Sequence, residues 1–547
     1  MNKYKNNKKF SNKFSGRDRD FQKFEKFQSP QNAEKIRLEK VSPDIKGDLV
    51  VVEGIVDRVS QTGGPTLFTL SDGTGTLVLK GFVGPGERAY PEISEEDIIS
   101  ATVKINEYQD AFEGEILKIR KLQGEDAKRF HENIELLQRE RAQISPPQFM
   151  VDSPILEKLK DRFTKAATEI RLAIFQNRPI IIRHHNDTDG YSSGFSLERA
   201  VLPLIDAQHK SAKASWEFYT RAPCAAPFYE IEDSIRDTSM SLANAAKFSN
   251  KMPLVIIADN GSAPDDLFAI QQGKVHGMKF IVVDHHIFDK DVISQEVLVH
   301  INPFLVGEDG AKFSAGMLCS ELARFINPDV KNIEQIPAMA GLADRIDNPS
   351  VINEYLKIAA RHGYTKELLS DISTVIDFVS AKLRFMEARE YIEVVFGEPK
   401  EKQRALVNLM TPYIRNLEKK GLEIAKTAAQ LEKIGKTTLQ YIHIEQSFSR
   451  GFYPKPGKAV GLIHDHLQEA HKLTNVVTVG ILEDAMTIRA TDEANFSVHD
   501  FIAYINKHLP QSFVEGGGHK NAGSIKYIPS QKDKIFHLLK EFIKGRS

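Results

Sequence analysis

The chain has 547 residues, 73 Lys and Arg against 74 Asp and Glu, 41% hydrophobic residues and a mean hydropathy of −0.33, figures that suit several globular domains rather than one. Apolar runs such as Pro179 to Ile182 and Leu254 to Ala258 fall far short of the roughly 20 residues that cross a bilayer, which excludes helical membrane spans and argues against a membrane partner. Cys224 and Cys319 are the only cysteines, too few for a disulfide scaffold or a Cys-rich zinc site, so any metal has to be held by His and carboxylates.

Residues 1–28 hold seven Lys and two Arg against two Asp and one Glu, a net +6 that leaves −7 for the rest of the chain. Phe10, Phe14, Phe21, Phe24 and Phe27 punctuate this segment, and without aliphatic residues it cannot bury a core. Residues 1–43 are expected to form a disordered basic tail, either solubilising or touching nucleic acid through phosphate pairing and base stacking. The N-terminus lacks an apolar stretch and a small-residue cleavage site, so no secretory signal is expected and a cytoplasmic location is.

Residues 44–123 change to short β-rich runs, DLVVVEGIVDRV, TLFTLSD, TLVLKGF, DIISATVKINEY and EGEILKIRKL, parted by Gly and Asp turns. About five strands with SDGTG as a tight turn predict a small antiparallel barrel. The stretch TGGPTLFTLSDGTGTLVLKGF resembles nucleic-acid-binding OB-folds, whose strand faces and loops take single strands. Residues 124–149 read as a linker helix ended by Ser145, Pro146 and Pro147. From 150 to 350, helix and strand signals alternate: a helix over 154–176, strand 179–183, helix 192–204, strand 254–257, helix 264–272 and strand 280–283. Alternation predicts a parallel α/β sheet with functional groups at the carboxyl ends of its strands. Residues 351–437 read as a helical connecting region broken at Pro412 and Gly421. A second α/β unit follows over 438–547, with a Gly-rich loop before its last strand. The fold class is therefore α/β, two α/β domains preceded by a small all-β barrel.

Four segments place metal-ligand residue types just after a predicted strand or on a helical stretch: His185-Asn186-Asp187-Thr188-Asp189-Gly190, Asp259-Asn260-Gly261, Asp284-His285-His286 and Ala343-Asp344-Arg345. An Asp after a strand is ordinarily a turn or N-cap residue, so each segment alone says little. Alternate residues of an extended segment share a side, so His185, Asp187 and Asp189 can reach one cavity, with Gly190 giving a tight turn. Asp187, Asp189, Asp259 and Asp344 together carry −4, which two divalent cations balance. Imidazole and carboxylate without thiolate suit Mn²⁺, which is favoured, or Mg²⁺, with Zn²⁺ or Co²⁺ as substitutes. Two such ions about 3.5 to 4 Å apart clamp the attacking and leaving oxygens of a phosphoester.

In order and spacing the four segments resemble the motifs of the DHH phosphoesterase superfamily, with HNDTDG as the first and VVDHH as the third. The resemblance implies a parallel-sheet DHH domain with His185, Asp187 and Asp259 on one metal and Asp189, Asp259, His285 and Asp344 on the other, Asp259 bridging. It further implies Asp284 orienting His285 from behind, and His286 facing the phosphate as hydrogen-bond donor or acid. Asn302-Pro303 also resembles the family. Gly516-Gly517-Gly518-His519 with Asn521-Ala522-Gly523 resembles the signature loop of the DHH-associated C-terminal substrate domain, and Arg489 resembles its substrate arginine; these residues would bind phosphate rather than metal.

With the N-terminal OB-fold, the arrangement resembles archaeal RecJ-like nucleases, which implies exonuclease action on single-stranded DNA, RNA or both, in replication or repair. Some members bind GINS of the replication helicase. Three other readings compete: an oligoribonucleotide or cyclic-dinucleotide phosphodiesterase, a non-catalytic replication scaffold, and an inorganic pyrophosphatase. Intact metal-ligand residues argue against the scaffold, and the barrel and the GGGH segment argue against the pyrophosphatase.

Overall fold

A computed structural model describes residues 33–546 apart from 109–110, 210–212, 225, 249, 289 and 384–388. Most of the basic Phe-rich segment, including all five of its phenylalanines, lies outside the described residues. Among the described residues no helix is long and apolar enough to cross a membrane.

Strands β1 (Glu34–Lys35), β2 (Leu49–Gln61), β3 (Thr66–Ser71), β4 (Thr76–Gly81), β5 (Ile98–Tyr108) and β6 (Ala111–Lys121) run in the order β1-β2-β3-β4-β6-β5, and a further β2–β5 pairing closes the sheet into a barrel. Alternate residues point inward, so Val52, Val56, Phe68, Leu70, Leu79, Val103 and Ile105 fill it. The SDGTG turn is held by Asp72, whose Oδ1 accepts from the Thr74 (2.8 Å) and Gly75 (3.1 Å) amides. Its Oδ2 accepts from the Leu38 amide at 2.8 Å. Residues 33–43 therefore depart from the expected tail: they lie on the barrel, with Leu38 and Val41 buried in its core, because this short stretch has the apolar residues that residues 1–28 lack.

A helix over Gly124–Ala142 follows and works as a strut. Its Arg141 guanidinium donates to the Gly73 carbonyl of the barrel, while Gln138 donates to the Phe175 carbonyl of the next domain at 3.2 Å.

The second sheet is wholly parallel, with β7 (Ile180–His184), β8 (Tyr219–Pro223), β9 (Leu254–Ala258), β10 (Lys279–Val283) and β11 (Val299–Ile301) in the order β11-β10-β9-β7-β8. Its middle strands are continuous apolar runs because both faces are covered. Ile180, Ile182, Leu254, Ile256 and Ile281 face the core shared with helices Pro154–Phe175, Thr188–His209 and Ala315–Ile326. Ile181, Val255, Ile257 and Val282 face the other side, where Ala269 and Ile270 of helix Pro264–Val275 cover them.

Residues 351–428 are not a mere connector. Helices Pro349–Arg361, Lys366–Leu383 and Lys400–Ala428 send Val351, Tyr355, Leu369, Ile372, Val375, Val407 and Ile414 into the same core as the sheet. The last helix runs unbroken through Pro412 and Gly421, the two expected breaks. At Gly421 the requirement is space, since a Cβ would stand 2.5 Å from Cδ of Pro454.

The third sheet starts at Gln430 rather than 438. Strands β12 (Gln430–Ile434), β13 (Thr437–His443), β14 (Val476–Ile481), β15 (Ala485–Ala490), β16 (Glu515–His519) and β17 (Ala522–Lys526) lie in the order β12-β13-β14-β15-β17-β16, with β13–β14 the parallel pair.

The barrel docks on the amino ends of the parallel strands. Arg58 pairs with Glu217 just ahead of β8, Asp57 takes Asn177 just ahead of β7 and Lys251 (3.2 Å) just ahead of β9, and Thr76 donates to the Gln208 carbonyl at 3.0 Å. The carboxyl ends of the strands are at the opposite side of the sheet.

Candidate metal centre

The first segment is built by a strand end running straight into a helix. β7 ends at His184, and the helix over Thr188–His209 begins before Asp189, so Asp189 projects from a first helical turn and not from an extended segment. Gly190 is likewise helical. A Cβ there would stand 2.1 Å from the His185 carbonyl oxygen, which makes close packing, not a tight turn, its reason. Asp187 Oδ1 accepts from the Gly190 amide at 3.0 Å, so this residue does the ordinary work of a helix cap while its other oxygen lies 2.9 Å from His185 Nδ1. Thr188 donates to Asp377 Oδ1 at 2.8 Å, tying the turn to helix Lys366–Leu383.

Asp259 follows β9 in a left-handed conformation, φ 61°, uncommon for a residue with a side chain and the kind of strain that collects at functional sites. Its two oxygens reach opposite ways. Oδ2 lies 3.5 Å from His185 Nδ1, and Oδ1 lies 3.4 Å from His285 Nε2. His285 Nε2 is also 3.5 Å from Asp344 Oδ2 and 4.0 Å from Asp189 Oδ2. Asp344 caps the helix over Ile336–Ala343.

Behind these groups the assignment changes in one respect. The Asp284 carboxylate does not touch the His285 ring; it lies 2.7 Å from His286 Nδ1 and accepts from the His285 amide at 2.8 Å. The His285 ring is oriented instead by the Gly310 carbonyl, 3.1 Å from Nδ1, which leaves Nε2 free to face the aspartates. Asn302 donates to the His286 carbonyl and to Ser262, both at 3.0 Å, holding the third segment in place.

Electrostatics set these groups apart. Burial together with Asp259 and Asp344 pushes the Asp189 carboxyl well above the usual range. Burial and the Asp259 and Asp187 charges lift Asp344 to about 6, against the pull of His285. At His185 and His285 burial opposes the charged form, but the surrounding aspartates outweigh it and push both imidazoles well up. Negative charge is thus crowded beyond what the side chains neutralise among themselves.

Divalent cations fit this donor set. Asp189 Oδ2 and Asp259 Oδ2 are buried without a hydrogen-bond partner. Ligand atoms of His185, Asp187 and Asp259 come within 4.8 Å of one another, and so do those of Asp189, Asp259 and His285. These two trios share the Asp259 carboxylate, as does a third group of Asp259, Asp284 and His286.

The third sheet faces this cluster. GGGH is strand β16, paired with β17, and not a loop. Gly516 and Gly518 are glycines for folding reasons: a Cβ would stand 2.4 Å from the Ser524 carbonyl oxygen at the first and 2.6 Å from that of Ala522 at the second. Gly517 faces open space. His519 comes to 3.9 Å from Asp344 Oδ2, and its ring packs against those of His285 and His286 at 5.0 and 4.7 Å. Its ligand atoms also form a close group with those two histidines. Arg489 lines the cleft of about 460 Å³ in front of His185, Asp187, Asp189 and Asp344. Asn521 does not join this cleft. It donates to Asp492 and borders an adjoining recess of about 320 Å³, with Arg345 and, again, Arg489.

Lys455 and Lys458, neither singled out from the sequence, stand in the same cleft. Lys455 Nζ donates to the Asn186 carbonyl and to Ser380 Oγ, both at 2.8 Å. Lys458 pairs with Glu418 (3.0 Å) and Asp377 (3.5 Å). Only Pro456, at the first turn of helix Pro456–His471, hinted at a helix aimed here.

Carboxylates and imidazoles thus cluster at the carboxyl ends of a parallel sheet, faced by a second α/β domain. Residues 50–122 match the family described as OB-fold nucleic acid binding domain. Over 535 residues the chain is 32% identical to an uncharacterized protein of Methanocaldococcus jannaschii, covering 92% of this chain and 69% of that one. A solved DHH domain, from a member of a family of ribosomal proteins, superposes with a TM-score of 0.72 at 35% identity over 77% of this chain and 99% of that one. RecJ of Thermus thermophilus in complex with Mn²⁺ is a more distant likeness, with a TM-score of 0.49 at 15% identity over 75% of this chain and 59% of that one. The chain belongs to the family of DHH-domain proteins, with an OB-fold ahead of its DHH domain.

Proposed function

We propose that this protein is a metal-dependent exonuclease that hydrolyses phosphodiester bonds at the end of single-stranded DNA or RNA, in replication or repair. The observation that carries the reading is the pair of ligand trios sharing Asp259. Two divalent cations, Mn²⁺ favoured, would be held by His185, Asp187 and Asp259 and by Asp189, Asp259, His285 and Asp344. When bound, they supply charge stabilisation and a water acidic enough to attack phosphorus. The chain's own groups do the rest. Asp284 fixes His286 through Nδ1, leaving Nε2 for a phosphate oxygen. Arg489, His519 and the Lys455 ammonium present donors to phosphate from the facing wall. The OB-fold adds a grip that a small substrate does not need. Association with GINS rests on family resemblance alone.

One observation favours a second reading, a phosphodiesterase for short oligonucleotides. The barrel sits on the amino ends of the parallel strands, so the cleft by itself meets only the end of a chain. The experiment is digestion of end-labelled DNA and RNA oligomers of several lengths with Mn²⁺, sampled over time, with a chelator control. The exonuclease reading expects mononucleotides released stepwise from long single strands and none from duplex. Turnover confined to the shortest oligomers would replace it with the second reading, and turnover in chelator would end both.

A further inference from the structure

Trp216 is the only tryptophan of the chain, and it is 64% exposed. Lone exposed apolar side chains are ordinary, but this one is held. The Arg389 guanidinium lies over the indole, 4.6 Å from the ring centroid, and is fixed there by donating to the Ser215 carbonyl at 2.9 Å. The same guanidinium is 5.3 Å from the Tyr219 ring. A planar cation covers part of the indole while much of the ring stays open to solvent. An aromatic face backed by arginine is suited to stacking on a nucleobase, and such stacking tolerates any sequence.

Its position gives the open face an occupant. Trp216 lies in the short helix Ala214–Glu217, next to Glu217, which pairs with Arg58 of the barrel. Three residues on, Tyr219 begins β8, the edge strand of the parallel sheet. Just beyond the far end of β8, Ala226 and Pro227 line the catalytic cleft. A five-residue strand spans about 16 Å, a distance a few nucleotides cover. We propose that Trp216, backed by Arg389, is a base-stacking platform that carries a single strand from the barrel, past the edge of β8, to the cleft. The inference rests on the reading that barrel and cleft serve one strand.

Because the chain has one tryptophan, its emission reports on this site alone. Full-length protein carrying Asp259→Asn, kept in chelator so that the probe stays intact, is titrated with labelled oligothymidylate of about 30 nucleotides while probe anisotropy and tryptophan emission are followed together. The platform predicts quenching with the same midpoint as the anisotropy change. Rising anisotropy with unchanged emission overturns the platform and leaves the single-strand reading standing, whereas no rise in anisotropy overturns both. In the same Asp259→Asn protein, Trp216→Ala should weaken binding about 5- to 140-fold, the loss of one stacked base. Trp216→Phe should bind within a few-fold of the parent. Equal binding by Trp216→Ala, at an unchanged melting temperature, also overturns the proposal.

Discussion

The Asp284 carboxylate engages the ring of His286, with Oδ1 2.7 Å from Nδ1, while it meets His285 only at the backbone amide. Asp284→Asn should therefore act through His286. A carboxylate that fixes a working imidazole contributes about 10- to 100-fold, so kcat should fall by that factor with Mn²⁺ content unchanged. Equal losses in the double variant Asp284→Asn/His286→Ala and in His286→Ala alone would show that the two act as one unit; additive losses would separate them.

Asp259 serves both trios, so its removal should cost more than that of any single-trio ligand. Asp259→Asn preserves the left-handed backbone, which Asn tolerates, and should lower activity by several orders of magnitude while the circular dichroism spectrum stays that of the parent. Retention of more than about a tenth of the parent rate at saturating Mn²⁺ would reject a shared ligand.

His519 and Arg489 are expected to bind phosphate and not metal. His519→Ala or Arg489→Ala should raise KM or lower kcat about tenfold or more, in the range of a lost charged hydrogen bond, with metal content unchanged by elemental analysis. His519 is the sharper test because it stands 3.9 Å from Asp344. Loss of bound Mn²⁺ in His519→Ala would make it a ligand.

Lys455 holds the Asn186 carbonyl between His185 and Asp187, the two proposed ligands of the first segment. Lys455→Met should leave that carbonyl and Ser380 short of a donor, costing about 1–3 kcal/mol of stability, and should also lower kcat/KM. A melting temperature and a turnover rate both matching the parent would remove Lys455 from the site.

The crowding of carboxylates predicts a pH dependence with a definite sign. Burial and its aspartate neighbours raise the Asp344 carboxyl from 3.8 to about 6, so between those values the unfolded chain ionises before the folded one. Stability of the chelator-treated protein should accordingly fall as pH rises from about 4 to 6. Asp344→Asn should lose that part of the fall. With Mn²⁺ the trend should reverse, because cations bind the deprotonated ligands. Thermal melts of both proteins across this range, with chelator and with Mn²⁺, provide the measurement.

The parts of this molecule that could be read from sequence are those where one residue type at one spacing has few other uses. HNDTDG and DHH become readable only together and in order, while GGGH reads as a loop although it is strand β16; the buried strands β7, β9 and β10 announce themselves as apolar runs. Strand β8, YTRAP, does not, because an edge strand with a polar exposed side lacks both an apolar run and a clean alternation. Strand β12, QLEKI, is hidden for the same reason. Gly190 and Gly421 read as turn and break because sequence shows a missing side chain but not the backbone or ring that takes its place. Lys455 reaches Asn186 across 269 positions, a relation no local pattern carries.

The three glycines of β16 have a consequence for how this family can diversify. Those at 516 and 518 belong to the hairpin, and any side chain there would force β17 away. The one at 517 meets no neighbouring atom. A Cβ at that single position would fill open space without displacing β17. Within one short motif, two positions are closed to any side chain by the neighbouring strand and the one between them is not.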